Sequence, residues 1–469
     1  MPPLKLVVIG AGPGGYVAAF HAADLGLDVT LIDRSVNPGG VCLYYGCIPS
    51  KALLHAAKVL TDTADAQSFG IGFGAPEIKI DKLRSWKADV VTKLTSGLGQ
   101  LTKQRKITYI QGTAYFLNSS TIEVERIDGQ TEQIAFDKAI IASGSRPVSL
   151  PFLPGSSRIW NSTTALEILN IPKTLLVIGG GYIGLELGSV YAALGSKVSI
   201  VEMTPALLPG PDRDLVDVLV RRLKGKFAKV MTETKVVRAA DKPDGIEVVF
   251  QDKNGKESSE SFDNVLVAVG RKPNSEGLGL ETTKTKINDK GFIEVDAQRR
   301  TNDENIFAVG DVAGNPMLAH KAFAEAKVAV EAITGKKTAF EPQAIPAVVF
   351  TDPELAWSGL TETEAKAQGL DITVSKFPWA ASGRALTLNR TDGLTKIIAD
   401  TKTKRVLGVG IVGVGAGDLI SEGTLAIEMG AVADDLARTI HPHPTLSETF
   451  LDTAEGLFGS PTHILHPRK

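Results

Sequence analysis

The chain has 469 residues, 43% of them apolar, which is enough for about three domains with a core in each. Lys plus Arg number 51 against 53 Asp plus Glu, so at a net charge of -2 there is no basic field to hold a nucleic-acid backbone. Cysteine occurs only at Cys42 and Cys47, which excludes a disulfide-stapled secreted scaffold and a four-cysteine zinc site and leaves the close spacing of the two to be explained.

The chain opens Met1-Pro2-Pro3-Leu4-Lys5 without a charged leader, a long apolar block and a cleavage site, so a cytoplasmic location is expected. An apolar run from Leu6 to Ile9 is followed by Gly10-Ala11-Gly12-Pro13-Gly14-Gly15, a helical stretch to Leu25, and a second run, Val29 to Ile32, ending in Asp33. This is the order of a dinucleotide-binding unit. Gly10 permits the tight turn, Gly12 lets the backbone approach a pyrophosphate, Gly15 lets the helix pack on the sheet, and Asp33 accepts from ribose hydroxyls.

Cys42 and Cys47 follow within Gly39 to Lys51. In a regular helix Cα atoms five residues apart lie about 8 to 9 Å from each other, and a disulfide needs less than about 7 Å. If the two bond, the helix must be distorted, and Gly46 and Pro49 permit or cause distortion. So short a loop adds little stability, and a strained cytoplasmic bond reads as redox chemistry; two buried free thiols are the alternative.

The glycine pattern recurs 169 positions on. Leu175 to Ile178 leads into Gly179-Gly180-Gly181-Tyr182-Ile183-Gly184, a helix to Leu194, and Val198 to Val201 ending in Glu202. On length alone Leu175 to Gly195 would qualify as a membrane span, but its glycines predict a buried strand, turn and helix instead. Two dinucleotides are implied. At the second site Glu202 bonds a ribose 2'-OH and repels a 2'-phosphate, and Met203-Thr204-Pro205 offers no Arg, so NAD is expected over NADP. Further on, Thr301 to Asp311 predicts a short strand ending in Gly-Asp, which standing alone reads as an ordinary strand with a turn Asp; with a dinucleotide site at the N-terminus, its acid could bond a sugar-like chain of that cofactor.

A thiol nucleophile needs a base, and His441-Pro442-His443-Pro444-Thr445-Leu446-Ser447-Glu448 offers one, with prolines on both sides of His443. Glu448 either fixes the imidazole tautomer or closes a helix-capping box with Thr445, as the spacings Thr164 to Glu167 and Thr361 to Glu364 also suggest. His441 is expected in solvent contact.

Gly39 to Lys51, Ala139 to Pro147, Gly179 to Glu186, Gly310-Asp311, Met317 to Lys321 and His443 to Glu448 together resemble the flavin-dependent pyridine nucleotide-disulfide oxidoreductases, over essentially the whole chain, and within them the members that oxidise dihydrolipoyl groups. The resemblance implies an α/β fold with two Rossmann-like units and a C-terminal α+β dimerisation unit. It divides the chain into 1–147 (FAD-binding), 148–272 (NAD-binding), 273–342 (completing the FAD unit) and 343–469 (interface). It implies FAD held by Gly10, Gly12, Gly15, Asp33, Gly40, Lys51, Gly112, Ser143, Gly144, Asp311, Met317, Leu318, Ala319 and His320. It implies NAD held by Gly179, Gly181, Tyr182, Gly184, Glu202, Val236 and Gly270. Cys42 would exchange with substrate, Cys47 would face the flavin, and Lys51 and Glu186 would pair beside it. His443 and Glu448 would serve the other subunit of a homodimer. The implied partners are lipoyl domains of acyltransferases or glycine-cleavage carrier proteins. Tyr44-Tyr45, Ser143 and Ala326 depart from the commoner Asn-Val, Thr and Gly without removing a reacting group. Tyr182 resembles glutathione reductases, whereas Glu202 and Thr449 do not.

Overall fold

The computed structural model describes residues 2–459 and 461–465; the outer ends of the 1–147 and 343–469 expectations therefore lie outside the described residues. The first sheet runs, in spatial order, Ile306–Ala308, Lys138–Ile141, Lys5–Ile9, Asp28–Asp33 and Thr108–Asn118, all parallel, and extends through antiparallel Thr121–Arg126 and Thr131–Ala135. Leu6 to Ile9 are all buried because both faces of the strand are covered, Leu6 and Val8 by the helices Pro13–Asp24 and Ala319–Ile333 and Val7 and Ile9 by strands Thr108–Asn118 and Thr121–Arg126, which is why the sequence shows a continuous apolar run rather than alternation. The helix Pro13–Asp24 crosses from the first strand to the second. Its closeness to the turn has a steric origin: a Cβ on Gly15 would stand 1.7 Å from the Gly10 carbonyl oxygen.

A second parallel sheet repeats the plan with Lys229–Met231, Lys197–Val201, Thr174–Ile178, Asn264–Val267 and Ile159–Asn161. The stretch that matched a membrane span is the buried strand Thr174–Ile178, the glycine turn and the helix Tyr182–Ala193. Among the described residues no helix is long and apolar enough to cross a membrane. Where the chain leaves the first unit and re-enters it, Ser145–Pro147 and Arg271–Pro273 pair antiparallel, so two short strands join the units.

The C-terminal part forms a five-stranded antiparallel sheet, Ala347–Val349, Glu354–Gly359, Val406–Gly413, Leu394–Asp400 and Ile372–Pro378. Helices Ala416–Glu428 and Glu448–Gly456 share a core with it through Ile420, Ile427, Phe450 and Ala454. The expected fold class, two Rossmann-like units and an α+β unit, is observed. Buried ion pairs seat the third unit on the second: Lys396, 1% exposed, contacts Asp212 at 2.8 Å and Glu362 at 2.5 Å, while Asp352 holds Arg390 at 2.7 Å and Lys226 at 3.0 Å.

The capping expectations divide. Thr361 and Glu364 form the box that starts Glu362–Ala367. At Thr164 the cap comes instead from Asn161, whose carboxamide oxygen accepts from the Thr163 and Thr164 N–H groups; an Asx cap three residues upstream supersedes the Thr164 to Glu167 spacing.

Candidate active site

One long cleft opens at the carboxyl ends of the first unit's strands, where the strand order reverses, which is where open α/β sheets bind ligands. It is lined by Gly10, Gly12, Gly14, Asp33 and Gly40 of the first fingerprint, by Cys42, Cys47, Lys51 and Glu186, and by Ser143, Gly144, Asp311, Met317 and Ala319. At the glycine turn the helix Pro13–Asp24 starts on Gly12 with Pro13 in its first turn and no side chain capping it. Its free N–H groups and positive end make an anion seat. A Cβ on Gly40 would stand 2.4 Å from the Gly12 Cα, so the two glycines let the turn and the cysteine segment touch. Asp33 is oriented in advance: Oδ2 accepts from the Ala11 N–H at 2.7 Å and Oδ1 from the Ser35 N–H at 2.8 Å.

The cysteine segment is not one regular helix. Gly40–Tyr45 and Cys47–Asp65 are separate helices broken at Gly46, whose backbone (φ -142°, ψ -108°) is non-helical, as the spacing argument requires of any interacting pair. Both cysteines are free thiols here, Cys42 half-buried and Cys47 exposed to the cleft. Their mutual interaction lowers the Cys47 thiol to about 7, and Lys51 lowers it further. The same interaction drives Cys42 the other way. The reactive thiolate of the reduced pair therefore sits on Cys47, beside the cleft's ammonium. Tyr16, which sequence reasoning passed over, packs by the pair; burial and then the two cysteines raise its phenol to about 12, keeping it neutral.

Lys51 is held from two distant parts of the chain. Its Nζ lies 2.8 Å from Glu186 Oε2 and 4.4 Å from the centre of the Phe350 ring. Glu186 reaches it from the helix Tyr182–Ala193 with its side chain 4% exposed; such a charge is tolerable in the interior only when satisfied. Ser50 Oγ donates to Oε2 at 3.1 Å and the Phe350 N–H to Oε1 at 3.0 Å.

Asp311, which also lines the cleft, follows Gly310 just after strand Ile306–Ala308, as the sequence predicts. Ser145 donates to Asp311 Oδ2 at 2.5 Å and accepts from Arg271 Nε at 2.7 Å. Ser143 donates to the Asn274 carbonyl at 2.7 Å. The Gly310 N–H is held by buried Glu325 at 2.7 Å. Leu318 precedes the helix Ala319–Ile333, which starts without a side-chain cap, and His320 turns to the Pro346 carbonyl at 2.7 Å, outside the cleft. Gly112 lies mid-strand opposite Arg126, where a Cβ would be 2.5 Å from the Glu125 oxygen; sheet packing requires a glycine there.

The second fingerprint repeats the first atom for atom. Gly181 starts the helix Tyr182–Ala193 with no side-chain cap, and Glu202 accepts from the Gly180 N–H at 2.7 Å and the Thr204 N–H at 2.8 Å. A Cβ on Gly184 would meet the Gly179 oxygen at 2.2 Å. Tyr182 spans the two sites, lining the cleft beside Arg271. Val236 lies in the separate antiparallel sheet at a β-bulge, and Gly270 (φ +136°) turns the chain into Arg271–Pro273.

His443 is not in the cleft of its own chain. Its side chain is 75% exposed, with Nδ1 2.7 Å from Glu448 Oε1. Glu448 Oε2 accepts from the Thr445 N–H at 2.8 Å, so the carboxylate serves both readings at once. Burial pushes this carboxyl up, but the Thr445 N–H and His443 outweigh it and hold the group below its ordinary range. The box itself is incomplete: the helix begins at Glu448, and Thr445 Oγ1 donates to the Pro442 carbonyl instead. His441 departs from expectation: its side chain is 4% exposed, with Nε2 2.7 Å from Glu422 Oε1.

A model of the family "Pyridine nucleotide-disulphide oxidoreductase" matches residues 4–326, and that of its dimerisation domain matches 345–454. The chain belongs to this family, whose members use FAD and NAD(H). It is similar to a dihydrolipoyl dehydrogenase of Vibrio cholerae (50% identity, covering 98% of this chain and 97% of the relative). The corresponding proteins of Haemophilus influenzae (49%; 98% and 96%) and Geobacillus stearothermophilus (46%; 98% and 97%) are also similar. Among solved structures it resembles LpdA from Mycobacterium tuberculosis (TM-score 0.90, 25% identity; 97% and 99%). It also resembles the HOCl-induced flavoprotein disulfide reductase RclA from Escherichia coli (TM-score 0.86, 29% identity; 96% and 99%).

Proposed function

We propose that this chain catalyses the dihydrolipoyl dehydrogenase reaction, oxidising a dihydrolipoyl group with FAD and reducing NAD+. The observation that carries it is the Cys42–Cys47 dithiol opening into one cleft with Lys51, an uncapped helix start and Asp33. The residues fit FAD: Gly12, Gly14, Gly15 and Gly40 would take its pyrophosphate, Asp33 its ribose, and Ser143, Gly144, Asp311, Met317 and Ala319 its other end. Gly179, Gly181, Tyr182, Gly184 and Glu202 would take NAD, the carboxylate favouring a free 2'-OH.

In the reaction, His443 of the partner subunit, oriented by that subunit's Glu448, takes a proton from the substrate dithiol. The thiolate attacks Cys42 of the oxidised pair and Cys47 leaves as thiolate. The second substrate thiol then displaces Cys42, closing the lipoyl ring and leaving both cysteines reduced. When bound, FAD supplies the two-electron chemistry that reoxidises the pair and carries a hydride to NAD+. Lys51 stabilises the Cys47 thiolate and negative charge developing nearby, and Glu186 keeps the ammonium in place. The same reading divides the chain at about 147, 272 and 342 and places it as a cytoplasmic homodimer that receives lipoyl domains of acyltransferase or glycine-cleavage carrier proteins. The reducing cytoplasm suits an exchangeable dithiol.

A substrate panel tests it. Dihydrolipoamide with NAD+ should turn over, with glutathione and other small disulfides far slower under NADH, and Cys47→Ser should abolish lipoamide turnover while NADH oxidation by an artificial acceptor survives. Full lipoamide activity in Cys47→Ser refutes it.

A further inference from the structure

We propose that Phe350, a residue of the dimerisation domain, is a positioning residue for Lys51, fixing the ammonium at the cysteine pair through the face of its ring. This rests on the reading of the cleft as a flavin and dithiol site.

Lys51 rides on a four-carbon stem with about 2 kcal/mol of rotamer entropy, and one carboxylate contact does not fix a side chain that is one-third exposed. The ring face supplies a second restraint 4.4 Å from Nζ, in the range where a cation is drawn to an aromatic quadrupole. The backbone of the same residue supplies a third, because its N–H donates to the free oxygen of Glu186 at 3.0 Å. Phe350 is itself anchored: two positions on, Asp352 is clamped by Arg390 and Lys226. The ammonium beside the cysteines is thus held by a residue about 300 positions away, in the unit that forms the family's dimer contact. The charged and titratable groups acting on Cys47 are Cys42, Lys51, Glu186, Tyr16 and Tyr182, and of these only Lys51 touches the Phe350 ring.

The test compares Phe350→Leu, which removes the aromatic face, with Phe350→Tyr, which keeps it; both retain the backbone N–H to Glu186. The reading is the pH midpoint of the long-wavelength thiolate–flavin absorbance of the holoenzyme after two-electron reduction, with iodoacetamide alkylation of the reduced cysteines as a flavin-independent measure. Phe350→Tyr should titrate with the parent, and Phe350→Leu should move up by about half a pH unit or more. A Phe350→Leu midpoint equal to the parent's overturns the proposal, as does an equal shift in both variants, which would make the effect one of packing. Should the parent show no long-wavelength band, the flavin reading fails separately, and the alkylation midpoints still decide the role of Phe350. If Phe350→Leu does not fold, Phe350→Met takes its place.

Discussion

Replacing Glu448 by Gln separates two jobs that one carboxylate performs. Oε1 holds His443 at 2.7 Å and Oε2 holds the Thr445 N–H at 2.8 Å. An amide keeps an oxygen for one of these bonds and loses the charge that stabilises a protonated imidazole. Hydrogen bonds to charged groups are worth about 1.5–3 kcal/mol, against about 1 for a neutral one. If His443 is the base, nearly all of the larger figure appears in the barrier, so kcat for dihydrolipoamide should fall about ten- to hundredfold. The Thr445 bond survives to the amide oxygen, and the stability loss should stay below about 1 kcal/mol, a Tm shift of less than about 3 °C in a chain of this size. The assays are dihydrolipoamide turnover with NAD+, a thermal melt, and NADH oxidation by an artificial acceptor, which bypasses His443 and should be unchanged. Turnover within about threefold of the parent, together with a Tm drop beyond about 5 °C, would show that the helix start was the carboxylate's main role.

In the reduced protein the first thiolate of the pair should form with a midpoint near pH 7, read as thiolate absorbance and as the onset of iodoacetamide uptake, because Cys47 is lowered to about 7 and Cys42 raised; Lys51→Met should raise that midpoint, and no change would deny the ammonium its part. Partial burial pushes the Asp352 carboxyl up, yet Arg390 and then Lys226 bring it down to about 2. Its contribution is therefore complete above the ordinary carboxylate range and lost as pH falls through about 2. Asp352→Asn should cost about 3 kcal/mol at neutral pH, seen in urea unfolding, with the gap to the parent closing toward pH 2; a gap independent of pH contradicts this. Gly184→Ala, whose new Cβ would meet the Gly179 oxygen at 2.2 Å, should abolish NAD+ reduction while flavin content measured by absorbance is kept; loss of flavin as well would mean the two units do not fail separately.

The parts legible in the sequence are those built from contiguous residues. Both glycine turns, their strands and their terminal acids lie within about 30 positions each, and local sterics dictate them. The break at Gly46 could be argued from spacing alone. The parts that escaped are long-range. Ser145 and Arg271 meet at Asp311, and Asn274 meets Ser143, only because two short strands pair between the units, and nothing about an isolated Ser or Arg marks it. Phe350 sits in an apolar run that reads as ordinary core. His441 looked solvated because it stands in a loop just before Pro442; Glu422, 19 positions back, pairs with it. The Thr164 spacing failed for a different reason: Asn161 is the stronger cap and was three residues too early to be noticed.

Glu186 belongs by sequence to the second nucleotide unit, yet its two oxygens are taken by Ser50 and Lys51 of the first and by the backbone of Phe350 in the third. Swinging the second unit open as a rigid body would strand a carboxylate in the interior without any of these partners. Hinged opening is therefore the expensive motion for this molecule. Movement near the dithiol should instead be confined to single side chains such as the partly exposed Tyr182, which stands one turn away on the same helix, while the scaffold around the cysteines stays still.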